Sequence, residues 1–406
     1  MNTKQLKFPL SLIFIFPGLI LIGCNTSSEP GFTLVNSTDE DFIDAPVSIP
    51  FDRDLVEFDV FTLVADGKEI PYQLDDLDSD GTPETLFLLY SLKAGESSKL
   101  TFRESQVAPD FKHGTRGVIK VRDQADPENM QVSDDFELVT EYTEPFDLQP
   151  DNGLLFFEGP GWESEYIGYR FYFDDRNRFD VFGKSETGLN LAEISSNYHE
   201  REAWGADVLK VGSSLGIGAP ALFRDGSFRA IETTGTKSIR TIADGPLRTI
   251  LEVSYPDWEV DGEKVQATME LEIHARHRYS IVRLTTDIDE PVFATGLVTH
   301  PNAPEIDIFS HEAFTTAYTW GDQSDQDEGL ALGLVLSNSE NPTYEGEIND
   351  THVFSLNGKS GMEYMIMAAW ELEPEYIRIQ NEPELTEYMN RVGRHWASPI
   401  STNRDN

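Results

Sequence analysis

A single cysteine, Cys24, stands in 406 residues, so no disulfide can form within the chain and stability has to come from a core and from ions. Basic residues are scarce as well: 31 Lys and Arg face 72 Asp and Glu, a net charge of −41. A field of that sign repels phosphate backbones and argues against nucleic acid as a partner. It still admits a small anionic substrate, because salt screens charge beyond roughly 10 Å and a few local cations dominate inside a cleft. Internal repeats and low-complexity tracts are also absent, which removes repeat arrays and disordered tails from consideration.

Hydrophobic residues at 39% and charged residues at 25% describe a globular chain, longer than one average domain. Lys4 and Lys7 precede the apolar run Phe8 to Ile22, which ends in Leu21-Ile22-Gly23-Cys24. That pattern reads as a bacterial lipoprotein signal peptide over 1–23, with Cys24 as the lipidated residue and 24–31 as a tether. The expected location is a lipid anchor in the bacterial outer membrane, on its periplasmic or outer face.

Short β-rich runs separated by Gly, Pro and Asp turns fill 32–108 and predict a small β-sandwich. Longer runs from 109 to 400 predict a second, larger antiparallel β domain, with strands at Leu247 to Tyr255, Lys264 to Ile273, Tyr279 to Thr286, Val292 to Thr299, Leu330 to Leu336 and Tyr364 to Trp370. One late helix is expected: Asn381 caps it, Leu385, Tyr388, Met389 and Val392 form its apolar stripe, and Gly393 ends it. The fold class is therefore all-β with a C-terminal helix.

Within the first unit, Asp76, Asp78, Asp80 and Glu84 take positions 1, 3, 5 and 9 of a calcium-type loop with Gly81 at position 6. Phe87 replaces the closing Glu, so an EF-hand is not expected; a structural calcium and a solvated Asp-Gly turn are both compatible. Gly212-Ser-Ser-Leu-Gly216 matches G-x-S-x-G but lacks the strand-turn-helix setting of a nucleophile elbow. His274 and His277, three apart on a strand, are expected on opposite faces in a solvated or salt-bridged setting.

Between Gly159 and Pro220 the chain concentrates Trp162, Glu163, Arg170, Lys184, Tyr198, His199, Trp204, Asp207 and Lys210. Aromatic faces mixed with both charges suit a sugar-acid pocket, and His199 is the natural proton carrier near neutral pH. Tyr169, Phe171 and Phe173 alternate with Arg170 and Tyr172, and Asp174 to Asn177 supplies a turn into a returning strand with Phe179, Val181 and Lys184, so one hairpin has an apolar and a functional face. His300, where a loop leaves a strand, is a further candidate.

The blocks Gly159 to Arg170, Asp180 to Lys184, Tyr198-His199 and Asp207 to Gly212, with Gln73 to Gly81 upstream, resemble bacterial domain-of-unknown-function family 4861. That resemblance implies a galactose-mutarotase-like β-supersandwich and lipoproteins of polysaccharide-utilisation systems, including dehydratases of uronate-ended oligosaccharides. The expected reaction is loss of water across C4 and C5 of a non-reducing-end uronic acid, which needs no organic cofactor. His199 is then the base, and Tyr198, Glu163 or His300 the acid. Arg170 and Lys210 would steady the enolate, with Lys184 in reserve, while Trp162, Trp204 and Asp207 would bind the sugar. The rival readings are a polysaccharide lyase, an aldose mutarotase or epimerase, and a noncatalytic carbohydrate-binding lipoprotein.

Overall fold

The computed structural model describes residues 30–53, 56, 58–124, 135–144, 147–194 and 197–405. The signal peptide, Cys24 and most of the tether lie outside the described residues. The chain is all-β, with one α-helix among the described residues.

Two small sheets form the first unit. One has five strands, in the order Ser401–Arg404, Gly31–Val35, Ser97–Glu104, Phe61–Ala65 and Lys68–Ile70; the other has three, Phe42–Pro50, Thr85–Leu92 and Gln73–Asp75. Strict alternation along Ser97–Glu104 sends Leu100 and Phe102 into a core shared with Val47, Ile49, Leu86 and Leu88. Thr85–Leu92 instead carries four consecutive buried residues, Leu86 to Leu89. A strand reads that way when both of its faces are covered, and here the second face meets the larger unit, where Phe87 lies 5.0 Å from His274.

The larger unit is built on a nine-stranded antiparallel sheet that includes Arg248–Val260, Glu263–His274, Tyr279–Thr286, Gly361–Trp370 and Leu330–Ser337. Its inner face packs on two further sheets. One has six strands, in the order Gly205–Asp207, Phe179–Lys184, Ile167–Phe171, Gly161–Ser164, Thr115–Val121 and Glu137–Val139; the other has five and includes Val292–Val298 and Thr351–Asn357. Leu251, Tyr255, Leu271, Tyr364 and Trp370 meet Trp162, Tyr169, Phe171, Phe179 and Val181 in that core.

Buried polar groups join the two units. Gln73 Oε1 accepts from the Leu247 and Arg248 amides, and Arg248 Nε donates to Asp75 at 2.7 Å. His274 Nε2 pairs with Glu272 at 2.7 Å and its Nδ1 meets the Tyr279 hydroxyl. His277 was expected opposite His274 on a solvated strand, but that strand ends at His274. The following turn brings the two rings to 6.2 Å in the buried junction.

The helix Glu382–Ala397 covers the other face of the nine-stranded sheet through Leu385, Met389 and Val392. Asn381 caps it, accepting from the Glu384 amide at 3.1 Å. Gly393 was expected to end the helix, yet the helix continues four residues past it. Close packing explains the glycine: a Cβ there would lie 2.5 Å from a Phe314 ring carbon. Gly393→Ala is expected to lower stability by about 1–2 kcal/mol through overpacking, although alanine gains roughly 1 kcal/mol of helix propensity. A urea midpoint equal to or above that of the parent would contradict this.

Candidate functional site

The hairpin of Ile167–Phe171 and Phe179–Lys184 turns one face into the main core and the other toward a covering layer of Phe156, Phe157, Leu191, Ile194, Tyr198 and Trp204. Arg170 stands on that second face, directly opposite Asp180 in the antiparallel register. Tyr172 follows two residues on, and Asp207 comes from the neighbouring strand, opposite Phe182.

Arg170 is fully buried. Its Nε donates to Asp180 at 3.1 Å, Nη1 to the Phe157 carbonyl at 3.3 Å, and Nη2 to the Tyr172 hydroxyl and Asp207, both at 2.7 Å; Nη2 also pairs with Asp180. Burial alone would lower its basicity, but Tyr172, Asp180 and Asp207 reverse that and hold it well above the ordinary value. Burial and the adjacent Asp207 push the Asp180 carboxyl up to about 6 against the pull of Arg170. Burial likewise pushes the Tyr198 hydroxyl up to about 12.

Asp207 connects this buried group to solvent. Its Oδ2 lies 3.1 Å from His199 Nδ1, and the His199 side chain is 54% exposed. Its Oδ1 is buried without a hydrogen-bond partner. The hydrogen bond with Asp207, reinforced by its charge, raises the His199 pKa above the ordinary 6.5, against burial and Arg170. Phe157 and Glu158 beside the group have φ of 40° and 63°, a left-handed pair without glycine. Such backbone costs of order 1–3 kcal/mol per residue and clusters at functional sites.

The family model described as Domain of unknown function (DUF4861) matches residues 34–402. The chain belongs to this family. One curated relative, Uncharacterized protein P7 of Formosa agariphila, is 28% identical over 109 residues, 27% of either chain. Two solved structures are more distant matches. An alpha-mannosidase from Enterococcus faecalis V583 has a TM-score of 0.43 and 9% identity, covering 93% of this chain and 46% of that one. A glycosyl hydrolase family 38 protein from Enterococcus faecalis has a TM-score of 0.43 and 10% identity, covering 93% and 47%. The chain thus spans about a quarter of the curated relative and less than half of either solved structure.

In this DUF4861 chain the structure gathers Arg170, Tyr198, His199 and Asp207, and adds Tyr172, Asp180, Glu158 and Arg176, which the sequence reading had not assigned. The signal was available: Tyr172 shares the Arg170 face by alternation, and a turn over Asp174 to Asn177 sets Asp180 opposite Arg170. Arg170 itself reaches no solvent, so it positions Asp207 rather than touching a substrate.

Other candidates lie elsewhere. Trp162 is fully buried in the main core, where its indole donates to Ser280 Oγ at 2.9 Å. Trp204 is buried against Phe182. Glu163 and Lys184 form a fully buried pair. Lys184 also donates to the carbonyls of Ser164 and Gly188, and Glu163 accepts from the Asn190 and Leu191 amides, so the pair anchors the loop after residue 184. Lys210 is exposed. Among the described residues no hydrogen bond or ion pair joins His300 to the Arg170 group; its Nδ1 accepts from the Asn302 amide. Ser214, in the G-x-S-x-G stretch, is buried and donates to the Val211 carbonyl within a turn.

In the acidic loop, Asp76, Asp78 and Glu84 each bring a carboxylate oxygen within 4.8 Å of the others, a donor set of the kind a hard cation takes. Asp80 turns away, accepting from the Thr82 amide, and Asp76 accepts from the Asp80 and Gly81 amides as in an Asp-Gly turn. Asp76, Asp78 and Glu84 are the residues that would hold calcium.

Asp180→Asn removes one of the two carboxylates hydrogen-bonded to a buried guanidinium, with Glu158 at 4.0 Å a third, and is expected to cost about 3 kcal/mol of stability, read from the denaturant midpoint. A loss below about 1 kcal/mol would mean that Asp207 alone satisfies Arg170.

Proposed function

We propose that the chain is a carbohydrate-active lyase that removes water across C4 and C5 of a non-reducing-end uronic acid. The observation that carries the reading is the half-exposed His199, held through Nδ1 by an Asp207 that Arg170 fixes from behind. Membership of the DUF4861 family, with the dehydration of uronate-ended oligosaccharides that its resemblance implies, supplies the substrate class.

His199 Nε2 takes the C5 proton, and the C–H electron pair becomes the C4–C5 double bond as the C4–O bond breaks. Asp207 stabilises the imidazolium that results. Glu163 and Tyr198 are both buried, so the imidazolium itself returns the proton to the departing 4-hydroxyl, which leaves as water. Negative charge grows on a substrate that is already a carboxylate, and cations have to face it. Two partly exposed arginines stand near: Arg176, 3.8 Å over the Tyr172 ring and paired with Asp174 and Glu158, and Arg201, two residues from His199 and paired with Glu328.

The test is ultraviolet absorbance of the unsaturated uronate, with mass spectrometry, while the protein acts on saturated uronate-ended oligosaccharides. Loss of one water without shortening supports the reading; shortening would indicate a polysaccharide lyase, and no product a binding protein or mutarotase. His199→Ala is expected to cut the rate by about 10²-fold or more. A neutral base is required, so the rate should rise as pH climbs through a value above 6.5, and Asp207→Asn should move that limb downward. A rate that His199→Ala leaves unchanged would remove the base assignment.

The proposal includes anchoring through a lipid on Cys24. Cys24→Ser is expected to shift the protein from the membrane to the soluble fraction, and an unchanged distribution would argue against it.

A further inference from the structure

A cleft of about 470 Å³ opens where the segment leading into Thr115–Val121 passes between the small sandwich and the six-stranded sheet. Its walls are tied by backbone and carboxylate bonds: Gly114 N to the Pro246 carbonyl, Glu165 N to the Gly114 carbonyl, and Gly188 N to the Glu165 carbonyl. The loop carrying Thr187 to Leu189 is the one that the buried Lys184–Glu163 pair anchors. The cleft therefore exists before any ligand arrives, which lowers the ordering cost of binding.

Its lining departs from the rest of the molecule. Lys112, His113 and Arg276 line it with one carboxylate, Glu165, in a chain whose net charge is −41, and Arg276 Nη2 is paired with Asp44 at 3.0 Å just outside. A second cleft, of about 660 Å³, sets Arg178 and Arg229 against Glu232, Glu259, Asp261 and Asp350. Arg276 holds φ at 60°, and its amide donates to Glu165 Oε2 at 2.8 Å, so strained backbone is clamped to aim this residue. Lys112 and His113 are exposed, and no ion pair or hydrogen bond of their side chains is seen among the described residues.

Aromatic rings accompany the cations. Phe111 is steadied edge-on by Tyr72 at 5.7 Å, and Tyr166 lines the same cleft. Tyr376 is 75% exposed, yet its hydroxyl is tied to Thr187 at 2.7 Å, which joins two walls. Large aromatics left open beside the exposed Lys112 ammonium match a ligand with an apolar face and a negative group. The overall charge repels polyanions, whereas local cations suffice for one or two charges within a Debye length.

We propose that this cleft is a binding subsite for an anionic pyranose ring, one carrying a carboxylate or a sulfate ester. It is separate from the His199 group, with which it shares no residue, and it binds whether or not His199 eliminates water. Aromatic faces take the C–H face of the ring, and Lys112 takes the anionic group, with His113 and the Asp44-paired Arg276 beside it.

The test is calorimetric titration of the His199→Ala protein, so that turnover does not consume the probe. The probes are three disaccharides: uronate-ended, sulfated but otherwise neutral, and uncharged. Both charged probes are expected to bind more tightly than the uncharged one, with affinity falling as salt rises. Binding of one charged probe alone identifies the group recognised. Lys112→Glu and Tyr376→Ala, both on exposed side chains, are each expected to weaken binding about tenfold, and their circular dichroism should match the parent. Equal affinity for the uncharged disaccharide, unchanged affinity in both variants, or no binding of any probe at millimolar concentration overturns the proposal. None of those results bears on the absorbance test of elimination, so the two ideas fail separately.

Discussion

A guanidinium cannot shed its proton to escape burial, and that constraint organises the DUF4861 site. Arg170 sits where no water reaches it, so every donor has to find an oxygen within the protein. Neighbouring segments supply them: Asp180 from the strand across, Tyr172 from just past the end of its own strand and Asp207 from the next strand out. The remaining direction is met by the Phe157 carbonyl, presented from a left-handed backbone. A hydrogen bond from a charged donor contributes about 1.5–3 kcal/mol, comparable to the cost of that conformation. The consequence at the surface is a fixed Asp207 and, through it, a fixed imidazole.

Much of this was legible in the sequence. Alternation along Tyr169 to Phe173 gave the hairpin its two faces, and the acidic turn gave its register, from which the opposition of Arg170 and Asp180 follows. The helix stripe was legible for the same reason, since its period survives in the letters. What escaped was burial imposed from outside the hairpin. Glu163, Lys184 and Trp204 read as site residues because they are polar or aromatic on a promising stretch. Asn190, Leu191, Ile194 and Tyr198, from a stretch with no regular period, fold back over that face and enclose them. A loop that packs by shape leaves no periodic trace.

The same limit explains the two histidines at the junction. Alternation places His274 and His277 apart only if the strand continues, and the chain turns instead. The continuous apolar run Leu86 to Leu89 was the available sign that another unit covers this sheet, because an open sandwich face would alternate. The junction is held by buried polar contacts, Arg248 with Asp75 and Gln73 with the Leu247 and Arg248 amides, rather than by apolar contact alone.

The edge strand Ser401–Arg404 pairs with Gly31–Val35, and Thr33 bonds Asp405 across 372 positions of sequence. During synthesis the amino-terminal sheet therefore emerges with an open edge and keeps it until nearly the whole of the larger unit has been translated. An unpaired edge is a template for association with other chains, and contacts this distant in sequence form late. Any form of the chain that lacks the Ser401–Arg404 strand therefore presents the Gly31–Val35 edge unpaired.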